Sequence, residues 1–147
     1  MAEVLGFVAS VFSVASLAIQ LGDSLQKACD FWDSIEDGPD DIRRVSAELR
    51  LLANFFRMLQ YEHSSGSIDP VHEQLVKGVL EIAKKDVDEL AVIVSDLARS
   101  IGPDQRSMKR KWGRVQIVLK GPKINKMRGY IESAKSIVQL LQASRTQ

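Results

Sequence analysis

Nine basic side chains stand between Asp104 and Glu132 with no acid among them: Arg106, Lys109, Arg110, Lys111, Arg114, Lys120, Lys123, Lys126 and Arg128. The chemistry open to such a cluster is attraction of a negatively charged surface, because Lys and Arg stay protonated across the physiological range. Three readings are open: a solvated face neutralised by acidic helices beside it, an anionic lipid surface, or nucleic acid, the last with no accompanying binding motif. The charge is lopsided along the chain. Residues 1–105 hold 9 bases and 18 acids, net −9, whereas residues 106–147 hold 11 bases and 1 acid, net +10. The two parts should attract each other.

Other reactive residue types are sparse. Cys29 is the one cysteine, which rules out an intrachain disulfide and a multi-cysteine metal site and fits a reducing compartment. Its apolar neighbours at helical spacing suggest a core thiol, with a reactive or lipidated one as the alternative. His63 and His72 flank a loop with no cysteine partner, so they read as surface histidines rather than zinc ligands. No phosphate-cradling GxxxxGK[ST] run, GxSxG elbow or GxGxxG turn occurs. Asp86, Asp88 and Glu89 read as the solvated face of a helix. The expectation is a protein that is not an enzyme and that needs no cofactor or metal.

The elements that must position these residues are helical. From Val4 to Gly22 no residue is charged, a run of 19 positions. As a helix it rises about 28 Å, close to the hydrocarbon thickness of a bilayer. Glu3 and the lack of an early Lys or Arg argue against a secretory signal. Glu3, Gly6, Ser10, Ser13, Ser16 and Gln20 form a narrow small and polar stripe on an otherwise apolar helix. The pattern resumes through Leu25, Ala28, Cys29, Trp32 and Ile35, predicting one helix that runs on to about Glu36. Gly38 breaks it, and Pro39, Asp40 and Asp41 open a second helix whose core face is Ile42, Val45, Leu49, Leu52, Phe56 and Leu59. Asp69 and Pro70 open a third of about 32 residues, with Val71, Leu75, Val79, Ile82, Leu90, Val94, Leu97 and Ile101 as its seam and the first helix as a partner of matching length. Pro103 to Lys111 reads as a basic linker and Trp112 to Leu119 as a short helix. After Gly121 and Pro122 a last helix follows, marked by Ile124, Met127, Ile131, Ala134, Val138 and Leu141.

The prediction is therefore all-α: an up-and-down bundle of about four main helices, with a short extra helix before the last one. With 147 residues, 45% apolar and 27% charged, one domain spanning 1–147 has material for one core.

Three stretches, MAEVLGFVASVFSVASLAIQL, DGPDDIRRVSAELRLLANFF and KWGRVQIVLKGPKINKMRGYIESAKSIVQLLQ, together resemble the fungal HeLo-like domains, N-terminal domains of NLR-like (STAND) proteins and cell-death effectors. The likeness extends in logic to the bundle domains of HET-S and MLKL. What the resemblance implies is a membrane-targeting effector of programmed cell death, whose first helix is released to engage lipid once a further domain of a larger protein drives oligomerisation. It implies membrane insertion through Val4, Leu5, Phe7, Val8, Val11, Phe12, Val14, Leu17, Ile19 and Leu21, with the nine bases holding anionic lipid. Expected partners are other copies of the chain, anionic membrane lipids and further domains of the full-length protein, with nucleic acid disfavoured. The expected location is cytoplasmic, with recruitment to the plasma membrane. The competing expectation is a non-lytic interaction module whose first helix never leaves the core. In place of the glycine zipper of some family members, this chain has Gly6, Ala9, Ser10, Ser13 and Ser16 as its small residues.

Overall fold

Helix α1 (Val14–Asp33) begins where Ser13, in extended conformation with ψ 165°, turns its side-chain oxygen to accept the Ser16 backbone N–H at 3.1 Å. The computed structural model describes residues 13–64, 69–101, 111–119 and 121–145. A serine at this position satisfies one of the donors every helix start leaves open, so α1 starts at Val14. The helix predicted to run unbroken from Val4 thus has a cap in its middle. It also ends three residues earlier than expected, at Asp33, where Ser34 donates back to the Asp30 carbonyl.

Helix α2 (Asp40–His63) has Pro39 as its N-cap and Asp40 and Asp41 in its first turn, at the positive end of the helix dipole. Helix α3 (Pro70–Ile101) starts beside Asp69, whose carboxylate accepts the Val71 N–H at 3.3 Å. Helix α4 (Lys111–Val118) is the short extra element, and α5 (Gly121–Arg145) takes Pro122 in its first turn, where no N–H is needed. These five helices, with no strand among the described residues, form the all-α bundle.

Directions alternate, and cross-helix contacts fix the register. Gly22 and Gln26 of α1 meet Ala53 and Arg57 of α2, whereas Cys29 farther along α1 meets Ser46 earlier in α2, which makes that pair antiparallel. Asp41 and Glu48 of α2 meet Arg128 and Lys135 of α5, a constant offset of 87 that makes this pair parallel. Helix α1 packs on α2 and α3, and α5 packs on α3 and more sparingly on α2. Consecutive helices α2 and α3 therefore occupy opposite corners, each flanked by α1 and α5.

The core follows the predicted faces of α2 and α5: Ile42, Val45, Leu49, Leu52, Phe56 and Leu59 are buried, as are Met127, Ile131, Ala134, Val138 and Leu141. On α3 the prediction holds from Leu90 to Ile101 and at Val79, which is partly buried against the core, and fails at Val71, Leu75 and Ile82. Val71, Leu75 and Ile82 are 68%, 66% and 64% exposed, and the buried positions are Val76, Leu80, Ala83 and Val87. Two apolar stripes share this half of α3, and helical spacing alone does not say which one faces inward. The expected match in length with α1 also fails. At 32 against 20 residues, α3 rises about 18 Å further.

Candidate functional site

The predicted insertion residues divide at Ser13. Val4, Leu5, Phe7, Val8, Val11 and Phe12 lie outside the described residues. Val14, Leu17 and Leu21 are buried in the core against α2 and α3, and Ile19 is 40% exposed. Ser13 and Ser16, assigned to the small polar stripe, are joined by the cap and by a hydroxyl–hydroxyl contact of 3.2 Å. The stripe is thus partly a capping device.

The basic cluster divides as well. Arg106, Lys109, Arg110 and Lys120 lie outside the described residues, and Lys111 opens α4. Arg114 Nη1 donates to the Ile101 carbonyl at 3.2 Å, closing the end of α3 that the predicted Gly102 and Pro103 stop leaves open. Arg128 faces Asp41 of α2 at 3.5 Å. Lys123 and Lys126 are exposed and line a cavity of about 180 Å³ with Glu89, Asp96 and Tyr130. Arg128 is therefore paired with an acid of α2, as the neutralised-face reading requires, and Arg114 is used to close α3. The exposed lysines sit among acids.

Farther along the α2–α5 seam, Lys135 Nζ lies 3.2 Å from Glu132 and 3.3 Å from Glu48. Hydrogen bonds to Glu132 and then Glu48 raise its pKa above the ordinary lysine value. Together with Asp41, Arg44 and Arg128 these groups rim a cavity of about 380 Å³. Its three bases and three acids leave it no net charge to select an anion or a cation.

Cys29 is fully buried, and its thiol donates to the Ser46 carbonyl at 3.4 Å. Ser46 Oγ donates to Asp33, which also receives Arg50 at 2.5 Å. Cys29, Asp30 and Asp33 bring donor atoms within 4.8 Å of one another. The Arg50 guanidinium already occupies the charge of Asp33, which leaves this group a structural polar link between α1 and α2. His63 and His72 line a cavity with Leu59, Val76 and Leu141 where α2 ends, α3 starts and α5 ends.

Sequence reasoning missed the outward apolar stripe of α3. The signal was present, because Val71, Leu75 and Ile82 are spaced for one face; they were assigned to the core for that reason. Among the described residues no helix is long and apolar enough to cross a membrane. No family model, curated protein or solved structure matches the chain.

Proposed function

We propose that the chain is a HeLo-like, membrane-targeting effector domain of programmed cell death, acting through release of its N-terminal apolar segment after oligomerisation. The observation that carries the reading is the division of the uncharged run at Ser13. Nine uncharged residues, Val4–Phe12, precede the cap, while Val14, Leu17 and Leu21 beyond it belong to the core. As a helix the nine rise about 14 Å, roughly half the hydrocarbon thickness, a length suited to one leaflet or the headgroup boundary. A full span over Val4–Gly22 requires drawing Val14, Leu17 and Leu21 from the core, at about 1.5–3 kcal/mol each. Oligomerisation is the step that offsets this cost.

The exposed Lys123 and Lys126, with the bases from Arg106 to Lys111, contribute about 1 kcal/mol each near an anionic leaflet. The expected setting is cytoplasmic, with recruitment to the plasma membrane on activation. A second reading, a non-lytic interaction or oligomerisation module of a fungal signalling receptor, is favoured by the exposed Val71, Leu75 and Ile82.

Vesicles separate the two. The protein should sediment with phosphatidylserine-containing vesicles, less with neutral ones, and less again at 0.5 M salt, where exposed charges are screened. Lys123→Glu with Lys126→Glu should weaken binding. Val8→Asp should abolish dye release, since a charge at mid-bilayer costs at least ~2.5 kcal/mol. Absence of vesicle binding and dye release by the wild type under forced oligomerisation would replace this reading with the interaction module.

A further inference from the structure

The outer face of α2 carries an exposed seam. Ala47, Leu51, Asn54, Met58 and Tyr61 are all exposed and uncharged, and they recur at intervals of four, three, four and three, the repeat with which one helix lies along another. Leu51 is 70% and Tyr61 83% exposed. At 100° per residue the seam stands opposite the buried Leu49, Leu52 and Phe56, so it points away from the bundle. Its two edges carry opposite charge. Arg43, Arg50 and Arg57, seven residues apart, follow one edge, and Glu48 and Glu62, fourteen apart, follow the other. The arginine edge lies toward α1, where Arg50 meets Asp33, and the glutamate edge toward α5, where Glu48 meets Lys135. Arg57 is bonded to the neutral amides of Gln26 and Asn54, which leave its charge unbalanced.

We infer that this seam is a pairing surface for a second copy of the chain, with the two α2 helices side by side and parallel. Charge selects both the occupant and the direction. In a parallel pair each arginine reaches the partner residue five positions further on, which sets Arg43 against the partner's Glu48 and Arg57 against the partner's Glu62. An antiparallel pair sets arginine edge against arginine edge. The surface is thus complementary to itself in one direction only. The exposed stripe of α3 lacks this pattern, since Gly78 leaves a gap in it and Glu81 and Asp86 flank it with the same sign. Area sets the strength. Ala47 to Tyr61 rises about 21 Å, and a strip that long and about 10 Å wide is far smaller than the roughly 800 Å² each partner buries in a lasting pair. The pairing is therefore reversible, and it takes hold when copies are gathered to about millimolar effective concentration. It deepens the oligomerisation step of the proposed function and needs no lipid.

Disulfide capture in the full chain tests it, because equal residues meet across the axis of a parallel pair. Ala47→Cys, Asn54→Cys and Tyr61→Cys, made one at a time, should each give a covalent dimer under mild oxidation at about 1 mM protein, whereas the parent with its buried Cys29 should not. Sedimentation of the parent should show a reversible dimer that fills toward the same concentration. Leu51→Glu with Met58→Glu should weaken it at least tenfold while the thermal midpoint of the dilute protein stays within about 2 °C, because both side chains are exposed. Capture at one of the three cysteines and not the others would overturn the parallel pair in favour of an antiparallel one. Capture at Leu75→Cys with none on α2 would overturn the seam and assign pairing to α3, and a parent that stays monomeric at 1 mM would overturn pairing altogether. Capture at all three positions by a protein that binds no phosphatidylserine vesicles would leave the pairing standing and remove the membrane reading. Vesicle binding without capture would do the reverse.

Discussion

At the scale of single residues, Ser13 decides where α1 begins. Replacing it with Ala removes the acceptor for the Ser16 N–H and should lower stability by about 1 kcal/mol, read from chemical denaturation. Ser13→Asp keeps the acceptor and adds a favourable charge at the helix start, so it should hold or exceed wild-type stability. Lys135 supplies a second test. Its pKa is raised above 10.5 in the folded chain by Glu132 and Glu48, so its contribution is complete below pH 10.5 and disappears as pH climbs through the folded value. The denaturation midpoint should fall in that alkaline window, and Lys135→Met should show a smaller fall there. Residue roles of this kind were only partly legible in the sequence. Asp69 and Pro70 announced a helix start by type and spacing, but Arg114 looked like one more base in a basic run, and only the fold brings it to the Ile101 carbonyl.

At the scale of elements, the informative case is α3. Leu80→Ala should destabilise by about 2–5 kcal/mol, since Leu80 is fully buried. Leu75→Ala, five residues away, should change stability by less than about 0.5 kcal/mol. A large loss for Leu75 and none for Leu80 would mean that the helix is rotated from its described face. The existence and type of α2, α3 and α5, and both ends of α3, were readable because apolar residues recur at three or four positions after Pro or Gly breaks. The inward face of α3 before Leu90 was not, because Val71, Leu75 and Ile82 are as apolar as Val76, Leu80 and Val87. Periodicity fixes that a helix has a greasy side; when there are two, neighbouring helices choose between them. The N-terminal run failed for a related reason. An uninterrupted apolar pattern favours one long helix, and a serine inside it carries its capping role only through local backbone geometry.

At the scale of the whole molecule, residues 1–105 are net −9 and residues 106–147 net +10, and two opposite-charge pairs join the two parts where α5 lies along α2, with Arg128 opposite Asp41 and Lys135 opposite Glu48. The Arg128–Asp41 pair is exposed and adds little, and the Lys135–Glu48 pair is half-buried; together they set register. Glu48→Lys should shift that register or loosen the seam, and Glu48→Lys combined with Lys135→Glu should recover most of the loss in a double-mutant comparison. The placement of α2 and α3 on opposite corners has a further consequence for how the chain is made. A ribosome releases α1, α2 and α3 first, and until α5 emerges the apolar faces of α2 and α3 toward it stand open to water. The nascent chain passes through a stage with an unfilled slot, and the late, positively charged α5 is drawn toward an acidic scaffold already in place. A chain halted at Ile101 should bind hydrophobic dye and chaperones and should lose both when the remaining 46 residues are supplied as a separate peptide.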